Sequence, residues 1–209
     1  MQIAIPLFHR FTALDCVGPY EVLSRLPESE VVFVAEAAGP VTTDTGALTL
    51  MAEAAFAEVG RPDVIVVPGG PGTRKIADHP IVDWVRAVHP ATQWTTSVCT
   101  GSEVLGHAGV LDGLEATSHW GRLDLLSGFG ATPVSRRVVV QGKVITAAGV
   151  SSGIDMALTL AALVAGDDVA QAIQLGIEYD PEPPFDSGSI HKARPEIVDA
   201  LRGLSSAHR

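Results

Sequence analysis

The stretch that decides the fold is Thr95–Gly106, TTSVCTGSEVLG. Its first part, Thr95-Thr96-Ser97-Val98, is small and β-branched, as a buried strand is. From Gly101 the residues Glu103, Val104 and Leu105 suit the first turns of a helix. Cys99 sits at the change of period, and Ser97-x-Cys99-x-Gly101 is a cysteine counterpart of the strand–turn–helix elbow that presents a nucleophile. Helix N–H groups at such a turn favour a thiolate, so the expectation is a lowered thiol pKa at Cys99. The bland alternative is a small buried hydrophobe, a common fate of free cysteine.

Working outward, short apolar runs alternate with helical patterns. Gln2–Leu7 reads as a strand, and a helix over Cys16–Leu26 follows, with Asp15 as its N-cap and Pro19 early in it. Glu30–Glu36 is a second strand, and Pro40–Met51 folds back around Asp44-Thr45-Gly46 as a hairpin. The wholly apolar Asp63–Val67 reads as a central parallel strand running into Pro68-Gly69-Gly70. Pro80–Val88 is helical, Ala91–Val98 feeds the elbow, and Leu114–His119 reads as a strand before a helix near Trp120–Leu126. Arg137–Gln141 and Lys143–Ala147 flank Gly142 as a strand pair. Val150–Ala165 is a helix apolar almost all round, either core or subunit contact. Asp168–Tyr179 continues with Ala172, Leu175 and Gly176 inward. From Asp180 the chain is turn-rich, with a last helix over Pro195–Leu204. This order predicts one α/β domain over residues 1–209, a mostly parallel sheet covered on both faces with the turn-rich tail packed on the domain. Asp15, Gly69-Gly70 and Cys99 then share the carboxyl edge, where such sheets bind ligands.

Composition narrows the function. A net charge of −10 argues against nucleic acid and against anionic membrane. No apolar run reaches spanning length. The opening MQIAIPLFHR reads as a core strand without a basic leader, and two cysteines make no disulfide framework. A reduced, cytoplasmic protein is expected. No residues have metal-ligand spacing, and PGGPG lacks the Lys-Ser/Thr of a phosphate loop.

A cysteine nucleophile needs a partner, and Asp15 is the candidate acid/base. Beside a thiolate its carboxyl should hold a proton, because two adjacent anions are not tolerated; a plain helix cap is the alternative. The N–H groups of Gly70 and Thr100 could stabilise developing negative charge, or Gly69-Gly70 could be an ordinary turn. The Thr100 hydroxyl could hold water or substrate, or merely start the helix. His119, in TSHW, is either a pocket residue or a core histidine bonded to backbone. Cys16 reads as packing.

Together, VIVVPGGPG, TSVCTG, TSHW and KVITAAGVSSGIDMALTLAALVAG resemble the ThiJ/PfpI superfamily, over residues 1 to about 190. Within it, LDCVGPYEVL and QLGIEYDPEPPFDSGS resemble the isonitrile hydratase group. The resemblance implies a flavodoxin-like α/β sandwich, a homodimer, and neither metal nor organic cofactor. It implies Cys99 as nucleophile, Asp15 as acid/base and Thr100 as contributor, acting on a small-molecule isonitrile. The R group is expected among apolar residues, near Trp120. Protease-like members carry histidine directly after the cysteine, where this chain has Thr100. Deglycase-like members carry glutamate where this chain has Asp15. Two competing readings are a ligand-sensing module like the sensor half of an AraC-type regulator, lacking its DNA-binding part, and another thiol hydrolase or deglycase.

Overall fold

The computed structural model describes residues 1–207. The chain divides into two compact units, Met1–Ile177 and the segment from Glu178 on. In the first, β1 (Gln2–Pro6), α1 (Ala13–Leu23) and β2 (Glu30–Ala35) are followed by the antiparallel hairpin β3 (Gly39–Thr42) and β4 (Thr49–Ala52). Then come β5 (Ala54–Ala55), β6 (Val64–Val67), α2 (Pro80–Val88), β7 (Trp94–Val98), α3 (Gly101–His107), β8 (Glu115–Ala116) and β9 (Thr132–Pro133). The pair β10 (Val138–Gln141) and β11 (Val144–Ala147) leads to α4 (Ser152–Ala165) and α5 (Asp167–Gly176). The second unit contains α6 (Pro195–Ala207) and an ion pair between Lys192 and Asp186 at 2.7 Å.

Among the described residues the main sheet has the order β10-β11-β7-β6-β1-β2-β5. All its pairings are parallel except that of β10 with β11. Taking β1, β2, β6, β7 and β11 in chain order gives the 2-1-3-4-5 arrangement of flavodoxin-like sheets, whose direction of winding reverses between β1 and β6. The apolar VIVV of β6 is buried at every position, as a strand covered on both faces must be. Side chains of alternate parity on β7 meet different layers. Thr95 hydrogen-bonds His89, just beyond α2, whereas Val98 packs where Gly153 of α4 and Pro19 of α1 come together. Ile3, Ile5, Leu7, Ile65 and Ile145 fill the core between the layers.

Several boundaries differ from the sequence reading. Helix α1 begins at Ala13, with Thr12 at the cap position in extended backbone, so Asp15 lies inside the first turn and Pro19 in the helix interior. The expected strand over Leu114–His119 is only β8, paired with β9 in a small sheet of its own. The expected helix near Trp120–Leu126 is a turn and then a 3-10 helix over Leu123–Phe129. On α5 the buried residues are Ala170 and Ile173, whereas Leu175 is 81% exposed. Val169, Ala170, Ile173 and Ile177 make a more continuous apolar stripe than Ala172, Leu175 and Gly176, and that stripe is what packs. Among the described residues no helix is long and apolar enough to cross a membrane.

Candidate active site

The first parts of the site come from the two sides of the β1/β6 reversal. Cys99 occupies the turn between β7 and α3 at φ 57, in the left-handed region that residues with a Cβ rarely enter. Two glycines make the turn fit. A Cβ on Gly101 would stand 2.1 Å from the Val67 carbonyl oxygen, and one on Gly69 would stand 2.4 Å from the Thr100 nitrogen. The Cys99 N–H donates to the carbonyl of Ala148 at 2.8 Å, fixing the elbow to the end of β11. The Cys99 carbonyl accepts from the hydroxyls of Ser102 and Ser118, each at 3.1 Å. The residue itself is 5% exposed.

Asp15 is fully buried (0% exposed) and reaches from α1 across to the end of β6. Its Oδ2 accepts the Gly69 N–H at 2.8 Å, while its buried Oδ1 has no hydrogen bond of regular geometry. Burial pushes the Asp15 carboxyl up to about 7, against the pull of the Gly69 N–H and of the Cys99 thiol, and the nearby Asp44 charge adds to the rise. The carboxyl and the thiol therefore titrate together. Asp44, at the hairpin tip, accepts from the Thr12 hydroxyl at 2.8 Å, which explains why Thr12 does not cap α1 with its side chain.

The expected lowering of the Cys99 pKa does not occur. Burial pushes the thiol up to about 12 and the Asp15 charge pushes the same way. The N–H groups of Val150 and Thr100 and the Thr100 hydroxyl oppose this and are outweighed. Desolvation at a nearly closed site exceeds what the few donors of the turn supply. At neutral pH the resting pair therefore holds its proton chiefly on sulfur, with Asp15 close to its own midpoint. Cys16, fully buried, is also pushed well up and has a packing environment.

The donors around the sulfur also differ from the expected set. Gly70 N–H donates to Thr100 Oγ1 at 2.9 Å and so is already engaged. Gly70 stands too close to the Arg10–Thr12 backbone for a side chain, its Cβ position lying 2.6 Å from both the Arg10 carbonyl oxygen and the Thr12 nitrogen. Its contribution is thus to hold Thr100, whose single hydroxyl proton is shared between the thiol and the Gly70 carbonyl, 3.3 Å away. The backbone donor that replaces it is Val150, in the loop between β11 and α4, with φ 21. Reading residue by residue missed Val150; the signal for it is positional. The GVSS segment leaves the carboxyl end of the strand next to β7 and must arrive beside the elbow.

His119 comes close to that loop. It is half-buried with its pKa lowered by burial, and its Nδ1 accepts the Gly121 N–H at 3.2 Å. A Cβ on Gly149 would lie 3.0 Å from its ring, and the Trp120 ring lies 5.4 Å away, centroid to centroid. The sequence reading also overlooked Glu103 and Arg122. Glu103, 3% exposed, accepts from Arg122 through both oxygens, Nε to Oε1 and Nη2 to Oε2, each at 2.8 Å. Among the described residues no group of three or more His, Cys, Asp or Glu side chains is placed to hold a metal ion.

This arrangement can activate a thiol by handing its proton to a buried carboxylate and can return that proton to a neighbouring carbon. Comparison with known proteins adds a lineage. The DJ-1/PfpI family matches residues 1–163. An isonitrile hydratase of Pseudomonas putida is 46% identical over 203 residues, covering 97% of this chain and 89% of that protein. A solved ThiJ/PfpI protein from Pseudomonas syringae superposes with a TM-score of 0.95 at 37% identity, covering 99% of this chain and 86% of that one. The HTH-type transcriptional regulator CdhR of Pseudomonas aeruginosa is 29% identical over 63% of this chain, a match that spans 40% of the regulator.

Proposed function

The chain belongs to the DJ-1/PfpI family, and from that premise we propose that it hydrates isonitriles, R–N≡C, to N-substituted formamides. The reading is carried by the buried Asp15–Cys99 pair in a chain that resembles the Pseudomonas putida isonitrile hydratase along nearly its whole length.

Asp15 takes the Cys99 proton as the substrate enters, and the thiolate adds to the terminal carbon of the isonitrile. Thr100 and Val150 N–H groups hold the sulfur while it carries charge. The proton on Asp15 then passes to the same carbon, giving a thioimidate, R–N=CH–S–Cys99, and an ionised Asp15. That carboxylate draws a proton from water whose oxygen adds to the thioimidate carbon. The nitrogen takes the proton from Asp15, and collapse of the adduct releases R–NH–CHO while sulfur recovers a proton. Water and isonitrile are consumed and formamide alone is formed. A carboxyl with its midpoint at about 7 suits both roles, because neither protonation state is costly to reach near neutrality. In this reading His119 and Trp120 receive the R group. The enzyme needs no metal or organic cofactor for these steps. We place it in the cytoplasm as a homodimer, for which Leu163, Val164 and Leu175, exposed on α4 and α5, offer apolar surface.

The test is to incubate the purified protein with cyclohexyl or 4-nitrophenyl isonitrile and follow the formamide by NMR or HPLC. Turnover lost in Cys99→Ala supports the reading. No turnover of any isonitrile together with turnover of methylglyoxal would replace it by deglycase chemistry, and tight binding without turnover would replace it by a sensor.

A further inference from the structure

The segment Thr117–Arg122 carries no regular secondary structure beyond turns, yet it is tied to the elbow at both ends. At its start the Thr117 N–H donates to Thr146 Oγ1 on β11 at 2.9 Å, and the Ser118 hydroxyl donates to the Cys99 carbonyl at 3.1 Å. At its end Arg122 holds Glu103, which stands four residues after Cys99 on α3. Between these anchors lie His119 and Trp120. The segment closes on itself through Arg122 N–H to the His119 carbonyl at 2.8 Å and Gly121 N–H to His119 Nδ1.

We infer that the Glu103–Arg122 pair is a positioning device that sets the His119–Trp120 wall against the elbow and thereby selects the R group of the substrate. The first reason is geometric. A bidentate guanidinium–carboxylate contact fixes both distance and plane, which a single hydrogen bond does not. The second is energetic. Glu103 is a buried anion whose desolvation is offset by this guanidinium, so the segment cannot swing away without leaving an uncompensated charge. The third is placement. The carboxylate and the guanidinium hydrogen-bond each other, whereas Asp15 accepts from the Gly69 N–H, so the effect of the pair falls on the wall rather than on the chemistry. An aromatic-faced wall held at a fixed distance discriminates by size and shape, favouring a bulky alicyclic or aromatic R group over a small alkyl one.

The inference rests on the isonitrile reading for its substrates, and a second readout frees it from turnover. Steady-state kinetics are compared for cyclohexyl and methyl isonitrile in the wild type, Arg122→Lys and the doubly neutral E103Q/R122Q. Arg122→Lys keeps the charge and loses one arm of the fork, and E103Q/R122Q leaves no buried charge unpaired. The expected result is a rise in KM of about tenfold for cyclohexyl isonitrile in E103Q/R122Q, smaller in Arg122→Lys, with KM for methyl isonitrile and kcat for both nearly unchanged. In parallel, the rate of Cys99 alkylation by iodoacetamide is divided by that with N-cyclohexylmaleimide. The ratio should change in the same variants whether or not isonitriles are substrates. Equal changes for small and bulky probes, or a fall in kcat alone, would overturn the inference; an unchanged alkylation ratio in a folded Arg122→Lys would do so too. Failure of the wild type to hydrate any isonitrile, with the alkylation ratio still shifted, would overturn the substrate reading and leave the wall in place.

Discussion

Two buried carboxylates belong to this region, Asp15 against the Cys99 thiol and Glu103 four residues after it on α3, and the protein treats them oppositely. Glu103 has a guanidinium on both oxygens and a place in the first turn of α3. Asp15 has one backbone N–H, an oxygen without a regular hydrogen bond, and a second carboxylate, Asp44, nearby. Burial is comparable, so the difference lies in the countercharge. A buried acid given a cation is a strut; a buried acid denied one exchanges its proton near neutral pH. In the proposed reaction, the comparison separates what holds the site from what works in it.

The sharpest way to break the comparison is to neutralise each acid in turn. Asp15→Asn should lower kcat/KM by about a thousandfold or more, as should Cys99→Ala, because the sulfur then has no proton acceptor. Glu103→Gln should leave kcat within a few-fold, measured by formamide release. If the two effects were similar, the division of labour would be wrong.

Stability should respond in the reverse sense. Above pH 3.8 the unfolded chain releases the Asp15 proton, whereas the folded chain keeps it until about 7. Asp15 therefore makes stability fall as pH rises through that window, on the order of 4 kcal/mol, and itself adds no further change above it. Denaturant melts from pH 4 to 8 should show this slope, and Asp15→Asn should remove it.

Arg122→Ala should cost about 2 kcal/mol at neutral pH, less than a fully sequestered pair because 34% of the Arg122 side chain faces solvent. E103Q/R122Q should recover part of the loss in the same melts.

The smallest effect sharpens the cause of the Asp15 shift. Activity should require an ionised Asp15 to receive the thiol proton, so kcat/KM should rise with pH through about 7. Asp44→Asn removes one of the forces raising that midpoint and should move the acid limb down by about half a unit. Movement upward would show that Asp44 acts through Thr12 and not through its charge.

Much of this was legible in the chain. The VIVV run of β6, the β-branched approach to Cys99 and the hairpin around Asp44 have local signatures that tertiary contacts did not override. Asp15 and Cys99 could be singled out because each follows a strand and so reaches the same sheet edge. The segment around Trp120 was misread, since its shape is imposed by anchors on β11, the elbow and α3 rather than by its own periodicity. The inward face of α5 was misplaced because several apolar stripes were compatible with one helix.

By itself, then, the amino-acid order determined which elements form and which side chains with reactive atoms meet at one rim, because both depend on local periodicity and on strand direction. Only the folded neighbourhood decided where the protons reside, that Val150 and not Gly70 offers its N–H to the sulfur, and which acid receives a cation. Those outcomes depend on solvent removal and on through-space partners, neither of which is written in the spacing of residues along the chain.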